Sequence, residues 1–141
     1  MNAIANRLLM FAASAVVLGT TAYGQTMMKA EIPFEFRTGN TSLPAGTYTV
    51  GRIPSPGMHG VIKLGNTVSN RTVYALSEGA DDSRKADGKP SMSFACGKQG
   101  CSIREIRGRD YAYAFPIPHK KTRDGGTLSF VTVPLRPLNA D

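Results

Sequence analysis

Apolar and polar residues alternate along most of the chain beyond residue 30, with the period of two that is typical of half-buried β-strands. The pattern is clearest where Ile32, Phe34 and Phe36 alternate with polar residues and predict one strand. Later segments show the same character between Gly, Pro and polar turns, at residues 47–50, 61–64, 70–78, 92–106 (a hairpin), 111–117 and 127–135. The polar residues 79–90 predict an exposed loop. Together these segments predict an all-β fold, as a single small antiparallel β-sandwich or barrel-like domain.

The first two dozen residues have a different pattern, which is typical of a secretory signal peptide. Arg7 precedes a 15-residue apolar run that ends at Ala22, and Ala22 and Gly24 are the small residues that a signal peptidase reads. The alternative, a transmembrane anchor, needs about 20 apolar residues and is therefore disfavoured. We predict a signal peptide at residues 1–24 and one exported all-β domain at residues 25–141, in the periplasm or outside the cell.

The chain is basic, which bears on its partners. It has 17 Lys and Arg residues against 10 Asp and Glu residues, for a net charge of +7, and loss of Arg7 with the leader lowers this to +6. A positive exported domain favours anionic partners such as envelope polymers or polysaccharides. The alternative is that a charge of this size serves solubility alone.

Cys96 and Cys101 are the two cysteines of the chain, and in an exported protein they predict a disulfide. Residues 97–100 make a hairpin loop that sets the two cysteines opposite each other, at a separation suited to an S–S bond. A zinc site would need more ligands, and a redox pair is more often Cys-x-x-Cys.

The disulfide also predicts a register for the hairpin. Regular antiparallel pairing from it sets three further pairs, Phe94 with Ile103, Met92 with Glu105, and Ser93 with Arg104. The face that carries Met92, Phe94 and Ile103 is expected to be buried, with Glu105 near its rim. On this register Ile106 belongs to the opposite, polar face.

Side-chain groups for catalysis do not occur at recognisable spacings. The histidines, His59 and His119, have no nucleophile elbow beside them, so a catalytic triad is not predicted. Glu31 and Glu35 could serve as the two carboxylates of a glycosidase, but beside Arg37 on one strand they are typical of a solvated face. No catalytic residue, metal site or cofactor is predicted.

A basic and aromatic patch is the candidate binding site. It combines arginines at the end of the hairpin, basic residues of the following loop and two tyrosines, namely Arg104, Arg107, Arg109, Lys120, Lys121, Arg123, Tyr111 and Tyr113. Rings beside cations can stack on sugars or nucleic-acid bases. The alternative is that Tyr111, Tyr113 and Phe115 belong to the core, as an aromatic stripe beside small residues more often does.

Two strings near the start of the predicted domain carry a family resemblance: Ile32-Pro33-Phe34-Glu35-Phe36 and Leu43-Pro44-Ala45-Gly46-Thr47-Tyr48-Thr49-Val50, separated by a turn with Gly39. They resemble the opening of a family of short exported proteins common in acidobacteria, which share a Pro-Phe-x-Phe strand and a Leu-Pro-Ala-Gly-x-Tyr-x-Val strand. The resemblance covers about a quarter of the domain. It implies a small exported β domain and carries over no catalytic residue. The cysteine pair and the strand-like, Pro-rich C-terminal end depart from the family pattern.

These observations predict an exported, non-enzymatic binding or structural module of the cell envelope or exterior, whose partner is an anionic polymer or polysaccharide. Two alternatives stay open. One is a small polysaccharide-acting hydrolase or lyase, and the other is a self-assembling extracellular subunit, a homo-oligomer joined through unpaired strand edges. We expect no specific nucleic acid partner and no transmembrane anchor after cleavage.

Overall fold

The computed structural model describes residues 27–54, 60–79, 88–117 and 126–139, and these segments confirm the all-β prediction. The predicted signal peptide lies outside them. No helix of the length and hydropathy that a bilayer span needs occurs in the four described segments. Their strands are β1 (Met28–Ile32), β2 (Phe36–Thr38), β3 (Thr41–Leu43), β4 (Gly46–Ile53), β5 (Val61–Asn66), β6 (Thr72–Leu76), β7 (Ser91–Gly97), β8 (Gly100–Arg107), β9 (Ala112–Ala114), β10 (Ser129–Pro134) and β11 (Arg136–Pro137).

The strands form two sheets that enclose one core. The first sheet has the order β11-β1-β4-β5-β6, and the second has the order β10-β7-β8-β2-β3, with the short β9 also paired to β8. The pairings among these strands are antiparallel except that of β2 with β8, which is parallel. Because β2 is short, β8 changes partner along one edge, from β2 at Cys101 and Ser102 to β9 at residues 105–107.

The strand predicted through Ile32, Phe34 and Phe36 is in fact two strands in different sheets. β1 ends at Ile32 in the first sheet, and β2 begins at Phe36 in the second. Pro33 stands at the crossing, and it has no backbone N–H to continue a ladder. A second crossing lies at Leu135, between β10 of the second sheet and β11 of the first.

Inward-facing side chains of both sheets form the hydrophobic core. Its largest fully buried members are Tyr48, Phe36, Phe94, Ile32, Leu43, Ile62, Leu64, Met92, Ile103, Ile106 and Val50. Phe36 of the second sheet meets Tyr48 of the first in a T-shaped, edge-to-face contact with ring centroids 5.2 Å apart, and it meets Phe94 in the same way at 5.4 Å. T-shaped contacts of this kind add to the apolar burial that holds two sheets together.

The β7–β8 hairpin follows the predicted register near its turn and departs from it further along. Cys96 pairs with Cys101, and Phe94 with Ile103, as predicted. A β-bulge then interrupts the ladder, so that Ser93 pairs with Glu105 and Met92 with Ile106. The predicted pairs Met92 with Glu105 and Ser93 with Arg104 are therefore wrong.

The spacing of two isoleucines explains the bulge. Ile103 and Ile106 are three residues apart, so a regular strand with alternating side chains would place them on opposite faces. The extra residue at Arg104 shifts the phase, and both isoleucines are buried, with 1% and 0% exposure. The Arg104 carbonyl accepts a hydrogen bond from the Phe115 N–H at 2.9 Å. Glu105, opposite Ser93, consequently lies on the outer face of the sheet.

Candidate binding face

The predicted disulfide is present at the turn end of the β7–β8 hairpin. The Cα atoms of Cys96 and Cys101 are 4.0 Å apart, well within the limit of about 7 Å for a bridged pair. Both side chains are partly buried against the core. The bond therefore crosslinks the two central strands of the second sheet from their inner side, and it is typical of a protein in an oxidising compartment.

The outer face of the second sheet carries a row of side chains that runs across five strands. Directly paired residues point to the same side of a sheet. From β3 to β10, the successive pairs place in this row Ser42, Arg37, Ser102, Ala95 and Phe130. Ala95, in the middle of the face, is only 3% exposed.

Arg104 lies over the ring of Phe130, and this pair is the main feature of the outer face. The guanidinium carbon Cζ is 4.4 Å from the ring centroid, a distance at which a cation and a ring attract each other. Phe130 is 57% exposed, and Arg104 is exposed as well. In the described part of the chain, neither Arg104 nor Arg37 forms an ion pair. Both guanidinium groups can therefore donate N–H bonds to an anion.

Arg107 and Arg109, two further arginines of the predicted patch, have different surroundings. Arg107 donates to Oε1 of Glu105 from Nε at 3.1 Å and from Nη2 at 2.6 Å, so its charge is compensated locally. Arg109 is exposed in the turn between β8 and β9, beyond the end of the outer face. The structure therefore does not bring Arg104, Arg107 and Arg109 together as one cluster of free cations.

Tyr111 and Tyr113 are core residues, as in the alternative interpretation of the sequence. They are 5% and 3% exposed, and their ring centroids are 5.3 Å apart. Tyr113 lies against Gly60 and Tyr111 against Gly108 so closely that a Cβ on either glycine would overlap the ring. The guanidinium of Arg52 is 5.6 and 5.7 Å from the two centroids. These rings are thus not part of the exposed face.

The other residues singled out in the sequence lie outside the described segments or at the edge of this face. The loop residues Lys120, Lys121 and Arg123, and both histidines, lie outside the described segments. Glu35 accepts a hydrogen bond from the hydroxyl of Ser42 at 2.6 Å. Across residues 27–54, 60–79, 88–117 and 126–139, no group of three or more His, Cys, Asp or Glu side chains is placed to hold a metal ion.

Arg37 and Phe130 belong to this face but not to the patch predicted from the sequence. Arg37 was predicted to lie on a charged strand face, but nothing in the sequence showed that β2 would pair with β8 beside Ser102. Phe130 is followed directly by Val131, so the period of two does not tell which of the two faces outward. The register of the second sheet sets Ser102 and Phe130 opposite Ala95, and no sequence pattern gives that pairing.

No protein-family model, curated protein or solved structure matches the chain. Its function is therefore inferred from the chemistry of its surface.

Proposed function

We propose that the protein is an exported binding module without enzymatic activity, and that it contacts anionic polymers of the cell envelope or exterior. The contact surface in this proposal is the outer face of the second sheet. The observation that carries the proposal is the exposed Arg104 guanidinium, held 4.4 Å over the exposed ring of Phe130. The signal-peptide pattern and the disulfide support export to the periplasm or exterior.

The Arg104–Phe130 pair offers two kinds of contact to an acidic polysaccharide. A guanidinium group donates paired N–H bonds to a carboxylate, sulfate or phosphate group. The exposed part of the Phe130 ring supplies an apolar surface for the C–H face of a sugar. Because the cation and the ring attract each other, both side chains are held in place before a ligand arrives.

Arg37 extends the positive charge along the same face. It pairs with Ser102, which lies two residues before Arg104 on β8. From the strand rise and the strand spacing, the Cα atoms of Arg37 and Arg104 lie about 8 Å apart. A polymer that repeats an anionic group can engage both arginines, and binding through exposed charges of this kind weakens as salt is added.

Retention on immobilised heparin in a salt gradient tests the proposal. We expect Arg104→Ala to elute at lower salt, with an affinity about fivefold lower for the loss of about 1 kcal/mol. Arg104→Lys keeps the charge but not the planar group, so its retention should be intermediate. Lys63→Ala is the matched control, because it removes one positive charge from the outer face of the first sheet.

Two results would contradict the proposal. One is equal elution of Arg104→Ala and the wild type. The other is an equal decrease for Lys63→Ala and Arg104→Ala, because net charge alone would then account for binding. In the same assay, replacement of Lys120, Lys121 and Arg123 by Ala shows whether that loop contributes. Shortened polymer in the wild-type eluate would favour the hydrolase or lyase alternative.

A further inference from the structure

No described strand pairs with the outer edge of β6, and just beyond its end the Glu78 N–H donates to the Ala114 carbonyl of β9 at 2.8 Å. β6 is the last strand of the first sheet and pairs with β5 on one side. Hydrogen bonds at both ends fix its ladder, since the Asn66 N–H donates to the Arg71 carbonyl and the Ser77 N–H to the Gly60 carbonyl, each at 2.9 Å. Bonded residues alternate along an antiparallel ladder. The odd-numbered residues of β6 therefore bond to β5.

The even-numbered residues of β6 direct their backbone away from the sheet. These are Thr72, Tyr74 and Leu76, whose N–H and C=O groups face outward along the edge. Their side chains lie on the outer face, where Tyr74 is 57% and Leu76 is 65% exposed. Val61, opposite Leu76 on β5, continues this apolar surface. The edge thus combines free backbone groups with exposed apolar side chains.

β6 lacks the features with which other strand edges avoid pairing. Natural edges are protected by charged residues, by proline, by bulges or by short length. Among the described strands, β3 and β9 have three residues each, β11 has two and includes Pro137, and β10 ends in Pro134 and lies beside β1. The segment Thr72–Leu76 has no charge and no proline, and three of its residues, Thr72, Val73 and Tyr74, favour β-strands.

We propose that a second copy of this chain pairs with β6 in antiparallel orientation, about a two-fold axis at Tyr74. This register sets Tyr74 opposite Tyr74 of the second copy. Thr72 of each copy then lies opposite Leu76 of the other. All three are residues with outward backbone groups, so the register forms about six backbone hydrogen bonds. A shift by two residues would lose one of the three pairs. The product is a continuous ten-stranded sheet with a C2 interface.

The charges at the strand ends favour the same orientation. Arg71 precedes β6 and Glu78 follows it, and both are exposed. Antiparallel pairing about Tyr74 sets Arg71 of one copy opposite Ser77 of the other, next to Glu78, whereas parallel pairing would set like charges together. A strand with opposite charges at its two ends is therefore complementary to itself, which identifies a second copy as the partner.

Two double variants test the register, with sedimentation velocity as the measurement. Thr72→Lys with Leu76→Lys places lysines opposite each other at both outer pairs, and we expect a monomer. Thr72→Lys with Leu76→Glu places opposite charges at the same pairs, and we expect a dimer. Because a five-residue edge is a small interface, wild type should change from monomer to dimer as its concentration rises.

A third variant tests the backbone contacts. The Tyr74 N–H points away from β5, so Tyr74→Pro leaves the ladder within the chain intact but removes a donor at the two-fold axis. Circular dichroism of this variant should match that of the wild type, and it should be monomeric. If Tyr74→Pro does not fold, the two double variants alone test whether β6 pairs with a second copy. A wild type that stays monomeric at every concentration, or a dimer that persists in the double-lysine variant, would overturn the proposal.

Discussion

The outer face at Phe130 and the strand edge at Tyr74 are two exposed aromatic regions that differ in everything but exposure. Each ring is 57% exposed. Phe130 lies under the guanidinium of Arg104, on a sheet whose central strands are crosslinked by a disulfide. Tyr74 lies on an uncharged strand whose backbone groups are open on one side. The exposed fraction of an aromatic residue therefore does not indicate its role. The role is indicated by the residues and backbone groups around it.

The two regions should respond differently to added salt. Binding of an anionic polymer at Arg104 depends on exposed charge, so added salt should weaken it. Pairing of β6 with a second copy depends mainly on backbone hydrogen bonds and apolar contact, and the exposed charges at the strand ends add little, so added salt should change it much less. The heparin and sedimentation experiments can therefore succeed or fail independently.

The largest expected effect comes from the core that both regions share. Phe94 is fully buried and meets Phe34 and Phe36, with ring centroids 5.1 and 5.4 Å away. We expect Phe94→Ala to lower the free energy of unfolding by about 3–5 kcal/mol, measured by chemical denaturation. Phe130→Ala is the control and should cost less than about 1 kcal/mol, because its ring is exposed. Equal losses in the two variants would show that the second sheet is not packed as described.

A smaller effect should separate the two regions. Replacement of Cys96 and Cys101 by Ala opens a short ring and should cost about 2 kcal/mol. Hydrogen exchange should then rise in β7 and β8, which carry the binding face, and remain unchanged in β5 and β6. Chemical reduction of the wild type should reproduce this result. A loss of protection in β6 of equal size would mean that the disulfide also maintains the strand edge.

The smallest effect should be confined to the β6 edge. Asn66 is 7% exposed, and its Oδ1 accepts hydrogen bonds from the N–H groups of Val68 and Ser69, each at 2.9 Å. Asn66→Ala leaves these donors without that acceptor and should cost about 1–2 kcal/mol in thermal denaturation. Val68→Ala, at a position with 87% exposure, is the control and should change stability by less than about 0.5 kcal/mol. Equal effects would remove Asn66 as the residue that holds the turn into β6.

The sequence predicted most strands but not their partners. The alternation of apolar residues locates β4, β5 and the β7–β8 hairpin, because each has one buried and one outer face. It does not show that the chain leaves the first sheet at Pro33, since apolar residues face the same core on both sides of the crossing. It also placed Ile106 outside, because a strict period of two has no room for the bulge at Arg104.

The binding face was harder to predict because its residues are distant in sequence. Arg104 was identified from local charge, and Arg107 and Arg109 were identified with it. Only the structure shows that Glu105 compensates Arg107 and that Phe130 lies beside Arg104. The pairing of β10 with β7 brings these residues together, and no local pattern specifies which strands pair in a sheet.

The most direct test of the central claim is an amide chemical-shift titration of the mature protein with a short heparin-derived oligosaccharide. We expect the largest shifts at Arg37, Ser102, Arg104 and Phe130, and we expect them to disappear in Arg104→Ala, while the amide chemical shifts of β5 and β6 do not change. Shifts centred on the outer face of the first sheet, or shifts that persist unchanged in Arg104→Ala, would contradict the claim.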